Sequence, residues 1–512
     1  MRTWELPSRG WDNPALTGGA EILGRIPDGP PRLLQPRPAP FSAPSREGGG
    51  SGWFTMQGLT RRELILGAAA GPWLRARAAD DTAFLPLEEA RPVLDSFANE
   101  LPQGFAGRKL TADSWLAWET IHDREIRARL KRGDADSIFN LALFGTSFTA
   151  QPRVTTKVLE GGDDRAAAHL ILARVRDLAA AASHPGSNER VQFAADWLKE
   201  NGVDPAQPAD AKRVEALLLE NALRVRREQR DYAKAIAVAK QQGDAASLFV
   251  TRSSLYRDRG LSLDTSFRPN YAIEQALGEM KAAGVLRNVR RAAVIGPGLD
   301  FADKRSGYDF YPVQTLQPFA LIDSLRKLKL ADASGPAVEI FDLSERVLGH
   351  VRRAVERARG GTPYMVQVPL DGETRWLPQT VAYWRGFGAE IGMEAKPLDP
   401  PRSVHARMHA VRIRPQVVML LGCADLDVVT QRRTPEHLDL AVATNILVYY
   451  SPFEQSLALR NIADMLRPAG ILLSNNALPE VSGMPMKPVG STTVAYSQDP
   501  DDGDRLIWYQ RQ

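Results

Sequence analysis

With 512 residues the chain is long enough for two or three domains, because one hydrophobic core rarely grows past about 250 to 300 residues. Hydrophobic residues make up 44% and charged residues 25%, the balance of a globular protein, and no apolar run approaches the ~18 residues a membrane helix requires. The 65 basic and 61 acidic residues are dispersed, for a net charge of +4, which leaves no concentrated footprint for nucleic acid; the single Cys423 excludes an internal disulfide and a cysteine-based zinc site.

Residues 1–55 contain nine Pro and nine Gly without a sustained period of two or 3.6, the composition of a segment that cannot bury a core, and are read as disordered. Then comes Met56, followed by Thr60-Arg61-Arg62-Glu63-Leu64-Ile65-Leu66, an apolar stretch to Leu74 and the small residues Ala76, Ala78 and Ala79. Residues 56–79 thus resemble a twin-arginine export signal, with an exported or periplasmic location as its consequence, Met56 as the expected true start, and a cytoplasmic location if the signal is unused. From residue 80 to 264 the periodicity predicts a helical domain. Trp115, Leu116, Trp118, Ile121, Ile126 and Leu130 recur at three- and four-residue spacing, with Gly133 expected to stop the run. Val214 to Ala239 repeats the pattern, and the alanine-rich residues 165–183 predict a further helix.

After Asn270, the expected N-cap of a helix, short apolar runs alternate with amphipathic helices, which predicts a largely parallel sheet covered on both faces. The first strand, Ala292-Ala293-Val294-Ile295, runs into Gly296-Pro297-Gly298-Leu299-Asp300, where glycines let the backbone approach a ligand beside free helix N–H groups. The second, Val338-Glu339-Ile340-Phe341, ends in Asp342, placed either to accept hydrogen bonds from both hydroxyls of a ribose or merely to cap the turn. Ser344 then caps the next helix. A later strand, Leu438 to Thr444, leads into Asn445-Ile446-Leu447-Val448-Tyr449-Tyr450; Ser451 as N-cap, Pro452 at the first helical position and Glu454 completing a capping box start the helix behind it. Ile471 to Ser474 is the next strand, and Thr492 to Tyr496 and Leu506 to Tyr509 flank Asp499-Pro500-Asp501-Asp502-Gly503 as an antiparallel hairpin at the sheet edge.

This order resembles the class I S-adenosylmethionine (SAM) dependent methyltransferases, whose seven-stranded sheet ends in a reversed hairpin. The resemblance covers residues 265–512 and is most specific from Asp439 to Ser474, which is similar to the fourth strand, helix and fifth strand of the chemotaxis-receptor methyltransferase type. It implies an α/β, doubly wound, Rossmann-like domain behind the all-helical one. It further implies that Gly296, Pro297, Gly298 and Asp300 border the methionine part of SAM, that Asp342 binds its ribose, and that Asp425 and Leu426 contact the adenine. Three departures stand out. Val294 occupies the place of an acidic residue, Asp300 that of a third glycine, and Asp342 follows Gly298 at 44 residues rather than about 20. Phe301 to Tyr311 reads as an insertion in the first crossover, and Pro363 to Pro400, with Trp376, Tyr383, Trp384 and Phe387, as a lid or pocket element or as aromatics that pack on the helical domain.

His405 and His409 have a spacing that suits a metal on one helix face, but no carboxylate accompanies them, and no metal is expected. Methyl transfer asks little of side-chain chemistry, because the sulfonium donor is already activated and alignment supplies most of the rate. The first reading is therefore a methyltransferase acting on an O or N acceptor, with Asn445 and Tyr449 or Tyr450 beside the acceptor, strand alternation favouring only one of the two tyrosines. The other is a non-catalytic SAM- or nucleotide-binding scaffold that keeps the fold. A dinucleotide oxidoreductase fits less well with the hairpin and the short glycine motif.

Overall fold

In the first described stretch, β1 (Thr82–Phe84) and α1 (Leu87–Ser96) precede α2 (Ala112–Phe144), a helix of 33 residues. The computed structural model describes residues 82–512 except 100, 102–104, 106–109, 155–163, 242–259, 262, 303–307, 372–374, 402–403, 405, 435–436 and 500–501. The segments 1–55 and 56–79, as well as His405, therefore lie outside the described residues. Helices Asp164–Ser183, Glu189–Glu200, Ala211–Gln241 and Pro269–Ala282 follow α2. Among the described residues no helix is long and apolar enough to cross a membrane.

α2 does not stop at Gly133. The backbone of Leu261 crosses the helix there, its N–H donating to the Arg129 carbonyl at 3.1 Å, and a Cβ on Gly133 would lie 1.8 Å from the Leu261 oxygen. The glycine is a point of close approach rather than a terminator. Asn270 is not an N-cap either: the helix begins at Pro269, and the Asn270 amide donates to the Phe267 carbonyl at 2.7 Å.

The remaining strands are β2 (Arg291–Ile295), β3 (Ala337–Asp342), β4 (Tyr364–Pro369), β5 (Gly392–Ala395), β6 (Met408–Ile413), β7 (Leu421–Asp425), β8 (Gln431–Arg433), β9 (Leu438–Ala443), β10 (Leu466–Ser474), β11 (Met486–Ala495) and β12 (Gly503–Arg511). Seven of them form one sheet in the order β11-β12-β10-β9-β2-β3-β7. The pairs β2–β3, β2–β9, β3–β7 and β9–β10 are parallel, and β12 runs antiparallel to both its neighbours. The chain is thus mixed α/β with a mostly parallel seven-stranded sheet. Successive strands step one way from β2 through β3 to β7 and the other way from β9 to β10, so the β2–β9 junction is the point where the winding reverses, and a crevice opens there beyond the carboxyl ends of the strands.

Each face of the sheet has its own core. On one, helices Pro269–Ala282, Gln317–Lys327 and Glu345–Arg359 bury Leu277, Phe319 and Val351 against Val294, Ile340 and Val442. On the other, Leu457 and Ile462 of helix Pro452–Met465 meet Ala293 and Ala441 in a core that also takes in Leu85 and Trp115 from the start of the described chain. The Trp115 indole donates to the Leu85 carbonyl at 2.7 Å, and β1 pairs with β8. Ala78–Gln512 accordingly forms one compact unit. The four aromatics of segment 363–400 are buried in the sheet domain rather than exposed as a lid or packed on the N-terminal helices. β4, β6 and β5 form a small antiparallel sheet, and Trp376, Tyr383, Trp384 and Phe387 are buried against Phe267 and Tyr271, with the Phe267 and Trp384 ring centroids 5.4 Å apart. Aromatic side chains of this size are kept from water by the sheet domain's own core.

Candidate functional site

β2 delivers the chain to the crevice. Gly296 donates its N–H to the Phe341 carbonyl at 2.8 Å, and both Gly296 and Gly298 have φ of +62°, a conformation that side chains with a Cβ rarely adopt. Around this turn lies a cleft beyond the carboxyl ends of the strands. Gly296, Gly298, Asp342, Leu343, Leu426 and the Thr444–Ile446 turn line it from the sheet side, and Leu130, Leu261 and the 263–266 segment line it from the helical side.

The structure brings together most of the residues singled out in the sequence. Asp342 sits at the tip of β3, its carboxylate accepting N–H groups of Ser344, at 2.8 Å, Leu343 and Gly298. Burial pushes its carboxyl up to about 6, and those three donors hold it from going further. Asn445 has φ of +60° and is paired reciprocally with Asn475: its N–H donates to Asn475 Oδ1 at 2.9 Å, and Asn475 Nδ2 donates to Asn445 Oδ1 at 2.6 Å. Tyr449 and Tyr450 both line the cleft, because Leu447–Tyr449 is a 3-10 turn rather than a strand, and strand alternation does not apply to them. Leu426 also lines it.

Pro297, Asp300 and Asp425 are not brought to the cleft wall. Asp300 turns into the protein, where its carboxylate accepts the Tyr311 hydroxyl and the Gln314 amide, both at 2.8 Å, and its carbonyl accepts the Arg190 guanidinium at 2.8 Å. Arg190 also donates to the Phe301 and Tyr311 carbonyls, so the long first crossover is fastened to the helical layer. Asp425 is held by Arg127 of α2 through two hydrogen bonds of 3.0 and 2.9 Å. His409 lies on β6, not on a helix, and its ring bonds the Phe387 carbonyl at 3.0 Å. Among the described residues no group of three or more His, Cys, Asp and Glu is placed to hold a metal.

Sequence reasoning missed how α2 is seated on the rim. His122 is buried between Asp427, at 3.1 Å, and Glu454, at 2.9 Å. Burial works against its charge, but the two carboxylates win and push the imidazolium up to about 10. Burial also pushes Glu119, one turn away, up to about 8. Arg129 donates to the Tyr449 carbonyl at 2.9 Å, which ties α2 to the turn that carries Tyr449 and Tyr450. No local signal marks these contacts, since the two bonds of His122 span 305 and 332 residues.

No protein-family model matches the chain, and no curated protein does. Among solved structures, the N-methyltransferase NodS from Bradyrhizobium japonicum WM9 is similar at 14% identity, over 48% of this chain and 95% of that one, with a TM-score of 0.24. Magnesium protoporphyrin IX methyltransferase from Synechocystis PCC 6803, solved with bound SAM, is similar at 10% identity over 51% and 90%, also with a TM-score of 0.24. The mitomycin 7-O-methyltransferase MmcR is similar at 12% identity over 79% and 100%, with a TM-score of 0.25. Scores this low add no weight to the strand order and the cleft.

Proposed function

We propose that the cleft at the β2–β9 junction binds SAM and that the chain is a SAM-dependent methyltransferase acting on an O or N acceptor. The observation that carries this is the charge of the wall: its described residues include two carboxylates, Asp264 and Asp342, and no basic side chain. A glycine turn beside a strand tip suits many nucleotides, but described wall residues that include two acids and no base favour a cationic ligand over one that brings phosphates. SAM is such a ligand. Asp342 is positioned for its ribose, and Leu343 and Leu426 offer apolar surface to the adenine.

When bound, SAM supplies a methyl group already activated by the sulfonium. The protein's part is to align an acceptor and exclude water. Asn445, Tyr449 and Tyr450 line the acceptor side, and burial holds the Tyr450 phenol well above its ordinary range, so that hydroxyl stays protonated rather than acting as a base. Calorimetric titration of residues 80–512 with SAM, S-adenosylhomocysteine and NAD tests the reading. Binding of the first two and not the third is expected; a protein that binds neither adenosyl ligand, and whose melting does not respond to SAM, would refute it.

A second reading, a non-catalytic SAM- or nucleotide-binding scaffold, draws on the clasp of α2 over the rim, where Arg127 already occupies Asp425. Transfer of labelled methyl from SAM to any component of a cell extract separates the two, and binding without transfer favours the scaffold. Export through the twin-arginine-like segment is likewise a proposal, tested by N-terminal sequencing of the native protein; a peptide from residues 1–50 in the mature form would sink it.

A further inference from the structure

The acceptor side of the cleft contains its own reporter of charge. Tyr450 lines the cleft yet is only 2% exposed, and its backbone is fixed by the Gln455 amide, which donates to the Leu447 and Tyr450 carbonyls at 3.0 and 2.9 Å. Burial, and after it the carboxylates of Asp427, Glu454 and Asp342, hold the phenol well above its ordinary range, with Arg129 acting the other way. Asp427 and Glu454 stand outside the wall and share His122 between them. On the wall itself, the described residues include Asp264 and Asp342 and no Lys, Arg, His or Cys. Any group that had to become an anion here would therefore be removed from water and brought among carboxylates.

We infer that the methyl acceptor is an amine nitrogen on an apolar body, and not an alcohol, a phenol or a carboxylate. The inference rests on the methyltransferase reading of the cleft and deepens it. A hydroxyl must shed its proton to become a strong nucleophile. Beside Tyr450 an alcohol or phenol meets the same burial and the same carboxylates and stays protonated as Tyr450 does. Asp342, at about 6, is far too weak a base for a phenol, whose ordinary value is already about 10. A carboxylate acceptor would enter as one more anion. An amine escapes these costs, because burial favours its neutral, reactive form for the same reason that it disfavours a phenolate. The wall carboxylates would favour the ammonium in an empty cleft, but in a loaded one they face the sulfonium. The nitrogen lone pair forms the new bond to the methyl carbon as the carbon–sulfur bond breaks and its electrons go to sulfur. The single positive charge passes from sulfur to nitrogen inside the acid-lined cleft, and the product gives a proton to water after release. Leu130, Leu261 and Leu263, on the helical side, offer apolar surface to the rest of the acceptor.

The test incubates the full wild-type chain with a cell extract and SAM that carries an isotopically labelled methyl carbon, beside a control without the protein. The carbon chemical shift of the transferred methyl tells attachment to nitrogen from attachment to oxygen, sulfur or carbon. The protein-dependent signal on nitrogen is expected to exceed that on oxygen by at least about tenfold, the ratio set by even a modest difference in barrier. Any smaller ratio, or a methyl chiefly on sulfur or carbon, overturns the inference while leaving the methyltransferase reading intact. No protein-dependent labelled methyl on any component overturns both. Treatment with mild base gives a second readout: methyl on an amine stays in place, whereas label released as methanol marks a carboxylate ester and refutes the assignment.

Discussion

Replacing His122 by Leu removes one imidazolium and leaves two carboxylates behind. Asp427 is fully buried and Glu454 is 19% exposed at the side chain, so neither can recover much hydration. Each keeps part of its shell: Asp427 still accepts the Val429 N–H at 3.1 Å and the Thr430 hydroxyl at 2.9 Å, and Glu454 still accepts the Ser451 N–H at 2.6 Å. Removing one partner of a buried ion pair costs about 3 to 5 kcal/mol, and the retained donors put this case near the low end, at about 3 kcal/mol. The pH dependence follows from linkage. The folded-state pKa of about 10 lies above the ordinary 6.5, so the stabilisation is complete below about pH 6.5 and is lost as pH rises through 10. The gap between wild type and His122→Leu in urea denaturation should therefore be widest near pH 6 and close by about pH 10, and amide exchange in residues 112–130 should speed up in the variant at neutral pH. A loss under about 0.5 kcal/mol, or a gap unchanged between pH 6 and 10, would refute the argument.

Gly298→Ala should cost about 2 kcal/mol whether or not SAM is present, because φ is +62° and the new Cβ would meet the Leu263 oxygen at 2.7 Å; a melting curve like that of the wild type would show that the backbone at Leu263 yields. Asp342→Ala should weaken SAM binding by about 1 to 3 kcal/mol. Since burial holds the Asp342 carboxyl at about 6 and the ionised form is the better acceptor for hydroxyls, wild-type affinity should fall as pH drops through 6, and a flat profile from pH 5 to 8 would count against the ribose contact. Glu119 has a folded-state value of about 8 against an ordinary 4.5, so the fold favours its neutral form, and that contribution is lost as pH rises from 4.5 through 8. Glu119→Gln should remove this part of the alkaline slope, and a slope that survives it assigns the effect elsewhere.

The parts of the chain legible in sequence are those whose determinants are local. Ser451, Pro452 and Glu454 form the expected capping box and first turn because N-cap chemistry is settled within four residues. β2, β3 and β9 were visible as apolar runs, and the glycine turn as a break at a strand end. Gly133 misled because glycine signals a helix end only when the backbone needs freedom, whereas here a distant strand of chain needed space. Asp300 and Asp425 misled for a related reason: a carboxylate near a cleft is as readily taken by a buried tyrosine or an arginine from another element, and only packing decides. His122 carried no pattern at all, since both its partners are reached across the fold.

That last span has a consequence for synthesis. At about 5 to 20 residues per second, Asp427 leaves the ribosome roughly 15 to 60 s after His122, so α2 must wait that long for the acids that neutralise it. During this interval its apolar face stays uncovered, so a helix made early is locked in place only late in synthesis.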